Sequence, residues 1–295
     1  MQPAVRKAYM TDDTSIGTPS FVREGEKGST IWEMGIDKVN RLIFLGTGDS
    51  LNGERAQTSL AIPLPGDETM LIDTSSGTVL LSRLETAGIS LERVRHLFLS
   101  HRHFDHVGGF APLLASLAAL PEASLTVHAT HKTLRALGSL INVTLPGAES
   151  WLGKRLNWSE LVPGKHAEVE GAEVTPFLVD HGVECVGFRI AQAGTVAVFS
   201  GDTRPSRAII ENASGADLLV HEAFGPKDAA AQAHAMGHST ATEAGEAASS
   251  AGVRRLVLTH LRASRLVDPK ALAAEAKFAF GGPVEAAEDL NTFVF

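Results

Sequence analysis

The segment SHRHFDHVGG places His101, His103, Asp105 and His106 within six residues, directly after the apolar run RHLFL. Imidazole nitrogens and carboxylate oxygens are the donors that suit zinc, manganese or iron as divalent ions. His101 and His103 stand two residues apart, so an extended segment can aim both at one cation. Asp105 and His106, past a turn, can aim at a second. Two divalent ions about 3.5–4 Å apart clamp both the attacking and the leaving oxygen of a displacement. Such a pair needs about seven or eight ligating atoms, so further donors must come from other parts of the chain. His181 in VDHGVE, Asp202 in FSGDTRP and His260 in VLTHLR are the candidates. Cys185 is the only cysteine, which excludes an internal disulfide and a thiolate cluster. Any metal must be held by His and carboxylate.

The elements that would position these residues follow from pattern. From Arg41 onward, short β-rich runs alternate with Ala- and Leu-rich helical stretches, the sign of a layered α/β fold, read as one domain over 41–295. RLIFLGTG, TSLAIPL and TMLIDTS leave no room for helices between them and predict an antiparallel start. Five later apolar runs end in SH, DH, GD, HE and TH, and chemistry in layered α/β proteins collects at strand ends. Residues 1–40 are polar and aperiodic and read as an extension. Residues 145–166 hold Pro, Gly, Trp151 and Trp158 without clear period, and predict a long loop serving as a lid, with Trp151, Leu152 and Trp158 over the site.

Composition narrows the function. A formal net charge of −8 has the wrong sign for bulk electrostatic binding of nucleic acid. No apolar run approaches the ~20 residues of a membrane span, and the opening residues lack a secretory pattern, so a cytoplasmic location without membrane partners is expected. A homodimer is the default assembly.

Taken together, HxHxDH, the strand-end His181, SGDT and the final LTH resemble the metallo-β-lactamase superfamily of binuclear hydrolases. LGTG at 45–48, SGDTRP at 200–205, HEAF at 221–224, GHST at 237–240 and LTH at 258–260 resemble, in order, its ribonuclease Z and phosphodiesterase branch. The resemblance covers residues 41 to about 262 and implies a four-layer αββα sandwich. It also implies two divalent ions, zinc first with manganese or iron as substitutes. His101, His103 and His181 would hold one ion, Asp105, His106 and His260 the other, and Asp202 would bridge. A hydroxide between the ions would be the nucleophile, with Asp105 orienting it or taking a proton. His238 would bind the substrate oxyanion or protonate the leaving group. Asp73 and Glu222 are expected to hydrogen-bond near the ions, His221 less clearly so. His96, His128, His131, His166 and His234 carry no motif and are assigned to surface or packing.

The sequence departs from the tRNA-processing members of that branch. Their long tRNA-gripping arm falls between the positions of His181 and Asp202, where this chain has room only for a hairpin. After His260 they show a Ser and an Arg-Tyr pair, whereas here LRASR follows and Arg265 partly replaces that arginine. A small phosphodiester is therefore expected as the substrate rather than tRNA. An ester or lactone hydrolase on the same two ions is the alternative, although lactonases commonly add a tyrosine near the site and the only one here is Tyr9. A mononuclear iron dioxygenase is a second alternative that leaves GHST without a role. A diiron redox enzyme would place Glu at 103 and carry a flavin domain, and a noncatalytic scaffold would have lost ligands.

Overall fold

The computed structural model describes residues 40–263 and 265–295. The expected extension and Tyr9 lie outside them, except for Asn40, whose amide donates to Gln192 O and Thr195 Oγ1. Two seven-stranded sheets face each other. The first contains β1 (Arg41–Gly46), β2 (Ser59–Leu64), β3 (Glu68–Ile72), β4 (Val94–Phe98), β5 (Leu125–Ala129) and β6 (Leu156–Glu160). The second contains β7 (Ala167–Val169), β8 (Ala172–Val179), β9 (Cys185–Gln192), β10 (Thr195–Phe199), β11 (Leu218–Glu222), β12 (Leu256–Thr259) and β13 (Val284–Ala286). The last strand, β14 (Thr292–Val294), returns to pair with β1.

Each sheet is half antiparallel and half parallel. β14, β1, β2 and β3 pair antiparallel, as the closely spaced first runs predict, and β3 to β6 pair parallel. The second sheet repeats this, with β7 to β10 antiparallel and β10 to β13 parallel. Parallel pairing requires crossovers, and helices supply most of them. On the first sheet these are α1 (Val79–Thr86), α2 (Phe104–Val107), α3 (Phe110–Ala118), α4 (His131–Thr144) and α5 (Ala148–Leu152). On the second they are α6 (Arg207–Asn212), α7 (Ala230–Met236), α8 (Ala241–Ala251) and α9 (Pro269–Phe280).

The strands are apolar on both faces because both faces are covered. Leu42, Phe44, Leu60, Ile62, Met70 and Ile72 point inward and meet Val186, Phe188, Ile190, Phe199 and Val220 of the opposite sheet. Their neighbours in sequence, Ile43, Leu45, Ala61 and Leu71, point outward beneath the helices with Leu80, Leu113 and Leu137. The period of two thus sends alternate residues to two different cores. The second sheet does the same, with Val198, Leu219 and Leu258 packed under Ala244, Ala248 and Leu272. The result is the αββα sandwich that the resemblance implies.

The stretch 145–166 is not a lid. It folds into α5, a short 3-10 turn and the edge strand β6, whose Trp158 lies in register with Val127. The Trp158 ring meets Phe110 edge-on at 6.0 Å, and Leu152 and Leu156 join the core beneath the helices. Both features that suggested a loop have local causes. Gly147 and Gly153 take positive φ at the two ends of α5, and Trp158 is the outward-facing residue of a two-faced edge strand. Trp158 is a packing residue of the helix side. Short elements without strong periodicity, β7, β13, β14, α6 and α7, complete the layers.

Candidate metal centre

Almost every candidate residue follows the C-terminal end of a strand. Asp73 follows β3, His101 follows β4, Asp202 follows β10, Glu222 ends β11 and His260 follows β12, all in the parallel halves. Parallel strands bring their C-terminal ends to one edge, so these residues converge from both sheets onto one rim of the sandwich. His181 joins from the end of the antiparallel β8, and His103, Asp105 and His106 enter on the first turn of α2.

Two groups of ligand atoms form there. One comprises His101, His103 and His181, the other Asp105, His106, Asp202 and His260, and within each group the atoms lie within 4.8 Å of one another. In the first group, Nδ1 of His103 is 3.0 Å from Nε2 of His101 and 3.2 Å from Nε2 of His181. Two nitrogens about 2.0–2.1 Å from a tetrahedral zinc are about 3.3 Å apart, so these spacings suit ligands of one cation. In the second group, Oδ2 of Asp202 is 3.3 Å from Nε2 of His106 and 3.4 Å from Nε2 of His260. The same oxygen is 3.7 Å from Nε2 of His101 in the first group. Asp202 therefore stands between the groups.

Hydrogen bonds on the far side of each ring decide which nitrogen faces the centre. His181 donates from Nδ1 to Gly237 O at 2.8 Å. His106 donates from Nδ1 to the buried carboxylate of Asp73 at 2.7 Å. The hydroxyl proton of Ser100 goes to Asp73 Oδ2, which leaves its oxygen to accept from Nδ1 of His101 at 3.0 Å. The proton of Thr58 Oγ1 goes likewise to Gly48 O, leaving that oxygen to accept from Nδ1 of His260 at 2.9 Å. In all four rings Nε2 is left with its lone pair toward the centre, the tautomer that ligation requires. Burial pushes the pKa of His101, His103 and His181 below the ordinary value, which keeps the first group neutral.

The second group is short of positive charge. Burial opposes protonation of His106, yet Asp202, Asp105 and Asp73 together hold its pKa well above normal. Burial also opposes the charge on Asp202, but His260, His106 and His101 hold that carboxyl well below its usual range. Asp105 is lowered in the same way against its burial, by His106 and His260. Nε2 of His106 is buried with no hydrogen-bond partner. A buried polar atom without a partner is costly, and a cation between these groups would satisfy both the atom and the field. The donor set fits divalent metal.

GHST divides its work residue by residue. Gly237 ends α7 at φ +90°, and a Cβ there would sit 2.7 Å from Nδ1 of His181. Ser239 Oγ donates to Thr203 O, fixing the segment after Asp202. Thr240 caps α8 in a reciprocal pair with Glu243. His238 is left free for chemistry. Its Nδ1 is 2.9 Å from Oε1 of Glu222, and one of its ring nitrogens is within 4.8 Å of ligand atoms of both His181 and Asp202. Burial disfavours a charge on His238, but Glu222 overrides it and pushes the pKa up to about 9.

The other expectations sort as follows. Asp73 and Glu222 stand behind His106 and His238, as expected of acids at strand ends. His221 is buried within β11 and its Nδ1 donates to Glu222 O, away from both groups. His128 packs flat on Phe98 at 4.2 Å beside His96. His131 and His234 pair with Glu160 and Glu243, and His166 is exposed. Arg265 is exposed and paired with Glu54, so it does not substitute for an arginine at the site. Sequence reading missed Ser100, Thr58 and Arg262. Only Ser100, a small polar residue between an apolar run and the first histidine, carried a signal.

Known proteins agree with this architecture. The beta-lactamase superfamily domain matches residues 68–261. Ribonuclease Z of Methanothermobacter thermautotrophicus is 30% identical, covering 84% of this chain and 94% of that protein. Ribonuclease Z of Geobacillus kaustophilus is also 30% identical, over 85% of this chain and 98% of its own. Among solved structures, the metallo-beta-lactamase fold protein YhfI of Bacillus subtilis superposes with a TM-score of 0.76 at 22% identity, covering 87% of this chain and 100% of that one. A diphosphatase of the PhnP family gives 0.69 at 20% identity, with coverages of 87% and 98%. From its fold, its strand-end His and Asp residues and these sequence relatives, the chain belongs to the metallo-β-lactamase superfamily, as a hydrolase related to ribonuclease Z.

Proposed function

We propose that this chain hydrolyses a small phosphodiester with two divalent cations, zinc first among the candidates. The observation that carries the reading is the position of Asp202 Oδ2, within 3.7 Å of donors in both groups. His101, His103 and His181 would hold one ion, Asp105, His106 and His260 the other, with Asp202 shared. When bound, the pair would supply a water nucleophile ionised near neutral pH and positive charge for the phosphoryl oxygens. Asp105, ionised and at the rim of its group, orients that water. His238 is protonated at neutral pH through Glu222 and donates to the oxygen of the departing group. An alkoxide leaving group needs such a proton, which favours a diester over an activated ester.

The size of the substrate is argued from the segment between His181 and Asp202. It consists of a short bend and the hairpin β9–β10, closed by a two-residue turn at Ala193 and Gly194, both at positive φ. A net charge of −8 adds no attraction for a polyanion. No helix among the described residues is long and apolar enough to cross a membrane. Rates on bis(4-nitrophenyl) phosphate, a lactone, an aryl ester and a precursor tRNA test the reading. Fastest turnover of the diester is expected. Faster cleavage of precursor tRNA, with binding that weakens steeply in salt, would contradict it.

A further inference from the structure

One guanidinium beside the centre has no partner. Arg262 follows His260 by two residues on the loop leaving β12, is half-buried, and among the described residues makes no hydrogen bond or ion pair. Five N–H donors are thus left for something else. Its Cζ sits 4.6 Å over the ring of Phe224, and Phe224 lies nearly parallel to His238, at 13° and 5.5 Å between centroids. His238 in turn stacks on His260 at 5.3 Å. Arg262 is therefore separated by a single ring from the group assigned to the leaving oxygen. The buried carboxylate of Asp49 feels the charges of His260, Arg262 and Asp105 together, which puts Arg262 on the side of the centre. The loop itself is fixed, since Asp49 N donates to Leu261 O and Leu261 N to Thr47 O.

A guanidinium held flat on an aromatic ring keeps its edge free and its orientation set, the arrangement that recognises a phosphate through two parallel N–H bonds. We infer that Arg262 binds a second phosphate of the substrate, one that is not cleaved and that lies on the leaving-group side. The preferred substrate is then a phosphodiester that also carries a phosphate monoester. This inference rests on the phosphodiesterase reading above.

The test compares calorimetric binding of thymidine 3′,5′-bisphosphate and thymidine 5′-monophosphate to the metal-loaded full chain and to its Arg262→Gln and Arg262→Lys variants. The wild type is expected to bind the bisphosphate at least tenfold more tightly, Arg262→Gln to lose that preference, and Arg262→Lys to keep part of it. The melting temperature should not move, because Arg262 has no partner to lose. In kinetics, Arg262→Gln should raise KM tenfold for a 4-nitrophenyl diester of thymidine 5′-phosphate that carries a 3′-phosphate. It should leave kcat, and KM for bis(4-nitrophenyl) phosphate, unchanged. An undiminished preference for the bisphosphate in Arg262→Gln overturns the inference, even if the diesters are hydrolysed. An Arg262-dependent preference in a protein that cleaves no diester supports it and removes the phosphodiesterase reading instead.

Discussion

Oδ2 of Asp202 lies 3.3 Å from Nε2 of His106, a buried nitrogen with no hydrogen bond of its own. Two such atoms at this distance, one anionic and one bearing a lone pair, repel unless a proton or a cation stands between them. Because the same oxygen also approaches His260 and His101, Asp202 should govern metal retention more than any single histidine. Asp202→Ala is expected to lose both ions on dialysis. His238→Ala should keep them and lose turnover about 10²- to 10⁴-fold, as expected for a general acid. Equal metal loss in the two variants would remove the role given to His238.

The pair formed by His238 and Glu222 predicts a pH dependence. With its pKa raised to about 9, His238 carries its proton at neutral pH and loses it as the pH rises through that value. Activity that needs the proton should fall on the alkaline side. Glu222→Gln removes the charge that holds the proton, so the alkaline limb should move toward neutrality. A limb that stays in place would show that another group sets it.

His128 predicts an acid-side effect on stability. It is buried against Phe98 and next to His96, and burial first, then His96, pushes its pKa down to about 4 from an unfolded value of 6.5. Above pH 6.5 both states are neutral and nothing is lost. Between 6.5 and 4 the unfolded chain binds a proton that the folded one refuses, so stability falls as the pH falls, by about 3 kcal/mol at most. Denaturant melts across that range should show a shallower slope for His128→Phe, which keeps the stack on Phe98. An unchanged slope would assign acid sensitivity to other groups.

Most of the sandwich was legible because its strands are apolar on both faces and its helices are amphipathic, patterns that survive in a single sequence. The ligand set was legible because His101, His103, Asp105 and His106 fall in one short segment, and because His181, Asp202 and His260 end apolar runs. What escaped was written in three dimensions. Thr58 reaches His260 across 202 residues, and Arg262 gains meaning only from Phe224 and His238. Trp151 and Trp158 misled because an edge strand with one exposed face has the composition of a loop. Their helix-side packing implies that Trp158→Ala lowers the melting temperature and leaves every KM unchanged.

Two ions held by two groups that share one carboxylate is the central claim, and metal stoichiometry by elemental analysis tests it most directly. The metal-loaded wild type should contain two divalent ions per chain, and His260→Ala, which removes a donor from the second group only, should retain one and lose activity. One ion per chain in the wild type, with content and activity unchanged in His260→Ala, would contradict it.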